Sequence, residues 1–118
     1  MTYNCSIIIP TIDYHQDLEQ CLRTCNRLKK VKVKIYVISD KKINKKFKNT
    51  IFKSFGKINM SQKRNIAVSI TNNKYIAFLD SDCYPSDNWL INAIKTLKKN
   101  KNIGLVSGPD FPYPNQKG

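Results

Sequence analysis

Apolar positions along the chain follow two rhythms. Short, mainly apolar runs occur at Cys5-Ser6-Ile7-Ile8-Ile9, at Val33-Lys34-Ile35-Tyr36-Val37-Ile38, at Lys74-Tyr75-Ile76-Ala77-Phe78-Leu79 and at Ile103-Gly104-Leu105-Val106-Ser107. Runs of this length, rich in β-branched and aromatic residues, predict buried strands over 5–9, 33–38, 74–79 and 103–107. The first stops at Pro10, which cannot donate to a ladder. Between the runs the rhythm changes to three and four. Leu18, Cys21, Leu22, Cys25 and Leu28 share one helical face and predict a helix over 17–28, with Asp17 and Glu19 early and Arg27, Lys29 and Lys30 late, as the helix dipole favours. Ile66, Ala67 and Ile70 predict a second helix over 61–71, with Ser61 as its cap. Trp89, Leu90, Ala93, Ile94 and Leu97 predict a third over 87–99, capped by Ser86. In the basic stretch from Lys41 to Lys57, Ile43, Phe47, Ile51 and Phe55 recur every four residues, which predicts a further helix ended by Gly56.

Strands alternating with helices predict an α/β fold: a Rossmann-like, mostly parallel sheet with flanking helices. The 118 residues make one domain, spanning 1–118, with no internal repeat or linker. Such sheets bind ligands outside the carboxyl ends of their strands. Three places qualify: Pro10 to Asp13, Ser39-Asp40, and Asp80 to Asp82. The chain has only 8 acidic residues, yet several sit at these strand ends. That placement suits a cation or a polar ligand.

The net charge of +13 favours anionic partners and keeps open a basic module that binds nucleic acid or an anionic surface. No RNA-recognition aromatic motif, zinc module or Gly-rich phosphate loop accompanies the charge, so no nucleic acid is expected. Four glycines argue against a dinucleotide site. The lysines are expected on solvated helix faces. No run of about 18 apolar residues and no signal-peptide pattern occurs, so cytoplasmic placement is expected, with peripheral association at the inner membrane surface compatible with the charge. Cys5, Cys21, Cys25 and Cys83 are then expected as free thiols, and Cys21 and Cys25 as small core residues rather than zinc ligands.

The sharpest chemical feature is Asp80-Ser81-Asp82. In an extended segment, residues two apart point to one side, so two carboxylates can share a hard divalent cation. A turn with Asx-type hydrogen bonds is the bland alternative for the same residues. Context favours the cation. Lys74 to Asp82, followed by Pro85 and Trp89-Leu90, resembles the Asp-x-Asp region of family 2 glycosyltransferases, which have the GT-A fold. Ser6-Ile7-Ile8-Ile9-Pro10-Thr11 is similar to that family's first strand, Leu18-Glu19-Gln20-Cys21-Leu22 to the helix after it, and Lys63-Arg64-Asn65 to its Ala-Arg-Asn element. The motifs occur in the family's order over essentially the whole chain.

The resemblance implies a nucleotide-sugar donor, most often a UDP-sugar, held with Mn²⁺ or Mg²⁺. It implies that Pro10 and Thr11 line the base pocket and that Asp40 accepts a hydrogen bond from the base. Lys63 and Arg64 would border the nucleotide. Asp80 would face ribose or a metal-bound water, and Asp82 would ligate the metal, with Ser81 between them in the donor site. Asp13 stands near the family's usual Asn after the first strand. Ser39-Asp40-Lys41-Lys42 replaces the usual Asp-Asp-Gly-Ser, and the third family strand, near Ser54 to Ile58, is poorly marked.

Family members continue into an acceptor-binding half that supplies an acidic general base. Asp110, in the proline-rich tail after Gly108, reads as a turn residue, so no catalytic base is assigned within these residues and the domain reads as the truncated, donor-binding part. The acceptor, whether glycan, lipid or protein, is left open. Two alternatives remain: a non-catalytic nucleotide-binding remnant of the same fold, and the basic binding module. A half-built domain would expose apolar surface, which makes self-association an expected property. His15 reads as a surface residue at a helix start and Trp89 as a packing residue. Tyr84 is placed either against a ligand or over a helix start.

Overall fold

A computed structural model describes residues 2–99 and the strand residues 106–107. Within them the elements run β1 (Tyr3–Pro10), α1 (Gln16–Cys25), β2 (Val31–Ser39), β3 (Thr50–Ser54), α2 (Met60–Ile70), β4 (Tyr75–Phe78), α3 (Trp89–Lys99) and β5 (Val106–Ser107). The strands form one sheet in the order β3-β2-β1-β4-β5, and every neighbouring pair is parallel. This is the α/β architecture that the apolar rhythms predict. The front part of the predicted last strand, 103–105, and the tail with Asp110 lie outside the described residues.

Side-chain alternation sorts the core onto two faces. Ile7 and Ile9 of β1 and Ile35 and Val37 of β2 join Leu18, Cys21, Leu22 and Cys25 of α1 and Leu90, Ile91 and Ile94 of α3 in one buried cluster. Ile8, Tyr36 and Ile38 point the other way, where only Ala67 of α2 completes the buried set. Among the described residues, two helices therefore cover the first face and one covers the second. The predicted stripe of α1 is buried throughout, including Leu28 just past the helix end.

Three local expectations change. The stretch from Lys41 to Lys57 is not a helix: residues 41–49 have no regular structure beyond a closing turn, and Thr50–Ser54 form β3 beside β2. Phe47 packs toward the larger cluster while Ile51 packs toward the smaller, so the four-residue recurrence is not one stripe. Asn49 has φ 57°, a left-handed conformation that a helix cannot pass through, and its amide donates to Asn26 Oδ1 at 2.9 Å. A β-branched and aromatic Thr50-Ile51-Phe52 then pairs more readily than it coils.

The cap of α2 is Asn59, not Ser61. Its side chain accepts from Gln62 N–H at 2.8 Å while Gln62 Oε1 accepts from Asn59 N–H at 3.0 Å, a reciprocal capping box. The buried residues of α2 are Lys63 and Ala67, whereas Ile70 is exposed and Ile66 half-buried. Of the predicted apolar stripe of Ile66, Ala67 and Ile70, Ala67 is thus inside and Ile70 outside, and Lys63 takes an interior place that the stripe did not include. Before α3, the Ser86 carbonyl accepts from Trp89 N–H, and Trp89 packs half-buried against the larger cluster.

Candidate functional site

The strand order reverses at β1: the chain builds outward through β2 and β3 on one side and through β4 and β5 on the other. A crevice opens at such a switch point, beyond the carboxyl ends of the two central strands. Here the loop after β1 and the turn after β4 face each other. Pro10, Thr11, Ile12, Asp13, Tyr14, His15, Met60 and Ser81 line a cavity of about 520 Å³.

Backbone hydrogen bonds fix these loops. Thr11 N–H donates to Ile38 O at 2.9 Å, and Asp40 and Lys41 N–H both donate to Ile12 O at 3.0 and 3.1 Å. Ser54 Oγ donates to Asp40 O at 2.8 Å. The ends of β1, β2 and β3 are therefore stitched into one rim. Thr11 is buried, and its hydroxyl donates to Asp13 O. Asp13 itself is exposed, accepting from Tyr14 N–H at 2.7 Å and lying 3.9 Å from Lys41 Nζ.

Across β4, Leu79 N–H donates to Ile8 O and carries the strand direction one residue further. The chain then turns: Cys83 N–H donates to Asp80 O at 3.1 Å. Asp80-Ser81-Asp82 is thus a turn rather than the extended segment expected, and the turn, not strand alternation, brings the carboxylates together. Ligand atoms of Asp80, Asp82 and Cys83 all lie within 4.8 Å of one another. Both aspartates are exposed and Cys83 is buried. Two accessible carboxylates at this spacing fit a hard divalent cation that keeps positions open for phosphate or water, while the buried thiol offers such an ion less.

Beneath this turn, the Cys21 thiol donates toward Asp80 O at 3.8 Å. Its pKa is raised well above the ordinary thiol value by its hydrogen bond with Cys25, by burial and by the nearby Asp82 and Asp80, so it stays a neutral core group. Burial and a hydrogen bond to Asp17 also push the Tyr84 phenol up. The hydrogen bond to Asp17 places Tyr84 beside the start of α1.

The remaining predicted residues form charged pairs beside the cavity rather than in its wall. Lys63 is buried, 2% exposed, and its Nζ lies 2.7 Å from Asp40 Oδ1. That ammonium, through its hydrogen bond above all, holds the Asp40 carboxyl below the usual carboxylate range against the opposing effect of desolvation. Arg64 places a guanidinium nitrogen 4.0 Å from Asp80 Oδ1 and its carbon 6.0 Å from the Phe78 ring centre. The structure thus brings Pro10, Thr11, Asp13 and Ser81 into one cavity, sets Asp40 with Lys63 and Arg64 with Asp80, and leaves Asp82 at the exposed turn.

Sequence reasoning read His15 as a surface residue at a helix start and did not name Ile12, Tyr14 and Met60. His15 caps α1, its Nδ1 accepting from Leu18 N–H at 3.1 Å, and its Nε2 lies 3.1 Å from Ser81 Oγ. Its position three residues before Leu18, at the head of the apolar stripe, was the available signal.

The family model for glycosyl transferase family 2 matches residues 6–117. Glycosyltransferase AglE of Haloferax volcanii is 27% identical over 93% of this chain, which spans 40% of that protein. Among solved structures, S. aureus TarS superposes with a TM-score of 0.65 at 18% identity, over 84% of this chain and 20% of TarS. The structure of S. aureus TarS 1-349 gives a TM-score of 0.69 at 17% identity, over 86% of this chain and 33% of that one. At these identities the superpositions show a shared GT-A fold.

Proposed function

The chain belongs to glycosyl transferase family 2, and from that premise we propose that the crevice between β1 and β4 binds a nucleoside diphosphate sugar, a UDP-sugar, for transfer to a glycan, lipid or protein acceptor. The observation that carries this reading is the meeting of the β1–α1 loop with the Asp80–Cys83 turn across a cavity of about 520 Å³ at the topological switch point.

Pro10 and Thr11 offer a rigid wall for the base. Asp40, kept ionised by Lys63, accepts from the N–H of uracil beside that wall. Asp82 and Asp80 would hold Mn²⁺ or Mg²⁺. The bound ion supplies charge neutralisation for a departing diphosphate. Arg64 limits the repulsion between the carboxylates when no cation is near. No general base is assigned within these residues, and the reading places the protein in the cytoplasm, where its charge of +13 also suits peripheral association at the inner membrane surface.

Calorimetric titration of UDP with and without Mn²⁺ tests the reading. The parent chain is expected to bind UDP in a metal-dependent way. Asp82→Asn, which keeps size and removes charge, is expected to weaken that binding about tenfold, roughly 1.4 kcal/mol, with the melting temperature unchanged. UDP binding indifferent to Mn²⁺ and to Asp82→Asn would remove the metal site.

A further inference from the structure

The middle residue of the Asp80-Ser81-Asp82 turn is held by a group that the metal chemistry does not use. His15 Nδ1 accepts the Leu18 amide hydrogen, so in the neutral ring the proton sits on Nε2. Nε2 lies 3.1 Å from Ser81 Oγ and must donate to it. Ser81 Oγ then spends a lone pair on His15 and keeps its own hydrogen for another acceptor. Both residues line the cavity beyond β1.

We infer that His15 is a positioning residue that orients Ser81 so that its hydroxyl donates a hydrogen bond to an oxygen of the bound nucleotide, on the diphosphate or the ribose. This rests on the nucleotide reading of the crevice, adds His15 to it and gives Ser81 a specific role there. The geometry explains why a histidine serves as a helix cap, a place where Ser, Thr, Asp or Asn is usual. A shorter cap satisfies Leu18 but cannot span to the turn after β4. Only a ring with nitrogens on opposite sides does both. The link also ties the start of α1 to a turn 66 residues away in sequence, across the switch point. The turn that carries Asp80 and Asp82 is thereby fixed relative to the wall formed by Pro10 and Thr11.

His15→Ser separates the two tasks, because serine keeps a neutral, effective cap and loses the reach. The probe is UDP with Mn²⁺, measured by calorimetry for the full chain, His15→Ser, Ser81→Ala and the double variant, beside a thermal melt of each. His15→Ser is expected to melt within a few degrees of the parent, by about the amount a change of cap allows, and to bind UDP about five- to tenfold more weakly, as loss of one oriented hydrogen bond predicts. Ser81→Ala is expected to lose a similar factor, and the double variant no more than the larger single loss, because the residues act in series.

His15 is the chain's one histidine, so its imidazole ¹⁵N spectrum gives a readout without ligand: Nδ1 as acceptor, Nε2 protonated, and an Nε2–H resonance moved by Ser81→Ala. Parent-like UDP affinity in His15→Ser, losses that multiply in the double variant, or the opposite tautomer would each overturn the inference while leaving metal-dependent UDP binding by the parent intact. A parent that binds no UDP would overturn the nucleotide reading itself, and the role of Ser81 with it.

Discussion

The two faces of the sheet are built differently from the same strands. On one face, α1 and α3 close over Ile7, Ile9, Ile35 and Val37 with Leu18, Leu22, Leu90, Ile91 and Ile94, and most of these side chains are sealed from water. On the other, α2 is the one helix among the described residues over Ile8, Tyr36 and Ile38, and its largest buried side chain is Lys63. Met60, Val68 and Ile70 on the same helix are exposed. The first face carries the hydrophobic free energy that a chain of this length needs. The second uses part of its interior for a charged pair, which contributes little net stability but fixes the Asp40 carboxylate at the strand end where the crevice lies. Packing and chemistry are thus divided between the faces.

The largest expected effect tests the packed face. Leu22 is fully buried among α1, β1 and α3 side chains. Leu22→Ala is expected to cost about 3 kcal/mol of stability, from lost transfer energy plus the cavity left behind. Urea denaturation measures it. A cost under about 1 kcal/mol would mean that this face is loosely packed and that the contrast with α2 is smaller than drawn.

The same division explains what was legible in the sequence. Strands β1 and β2 and helix α1 could be read because each buries a continuous run or a full stripe, so burial and pattern coincide, and β4 could be read from its apolar run although only Ala77 within it is fully buried. β3 could not. It is an edge strand of five half-exposed or exposed residues, Thr50–Ser54, and its own Ile51 and the preceding Phe47 imitate a helical period while serving opposite faces. α2 was found as a helix, and Ala67 of its stripe of Ile66, Ala67 and Ile70 is buried. Lys63 was not read as an inward residue, because an ion pair with Asp40 draws it in, a tertiary interaction that periodicity does not encode. At the crevice, the residue types at the strand ends drew attention to Thr11, Asp40 and the Asp80 turn. The bridge between His15 and Ser81 was invisible, because it depends on two loops meeting in space.

A smaller effect, visible as a change of pH dependence, tests the charged face. Asp40 has its pKa lowered by Lys63, so this carboxyl contributes stability that is fully present above its unfolded value, about 3.9, and is lost as pH falls through the lower folded value. In Lys63→Met the carboxyl is no longer held down. The variant is expected to be less stable than the parent at neutral pH and to lose less stability than the parent on acidification below about pH 4. Its loss at neutral pH should be smaller than that of Leu22→Ala, because the Asp40 side chain keeps 16% of its surface in contact with water. Chemical denaturation at pH 7, 4 and 3 measures both. Parallel acid profiles in parent and variant would show that Lys63 does not set the ionisation of Asp40.

The smallest expected effect has the opposite sign and tests whether the outer side of α2 is solvent-facing in the folded chain. Val68 is 41% exposed in the last turn of α2, which carries no basic residue. Val68→Lys gives up part of a half-buried apolar contact. It gains a better helix former and a cation near the helix C-terminus, where the macrodipole favours positive charge. Lysine can also lay its methylene stem over the apolar surface and keep its ammonium in water. These contributions nearly cancel, and the expected net change lies between zero and a stabilisation of about 0.5 kcal/mol, read from the urea midpoint at unchanged slope. Lysine at Leu22 of α1 has no such outlet and would leave a buried charge without a partner. If Val68→Lys instead destabilised the chain by more than about 1 kcal/mol, the outer side of α2 would itself be a packed surface, covered in solution by another copy or another segment, and the contrast between the two faces would need to be redrawn.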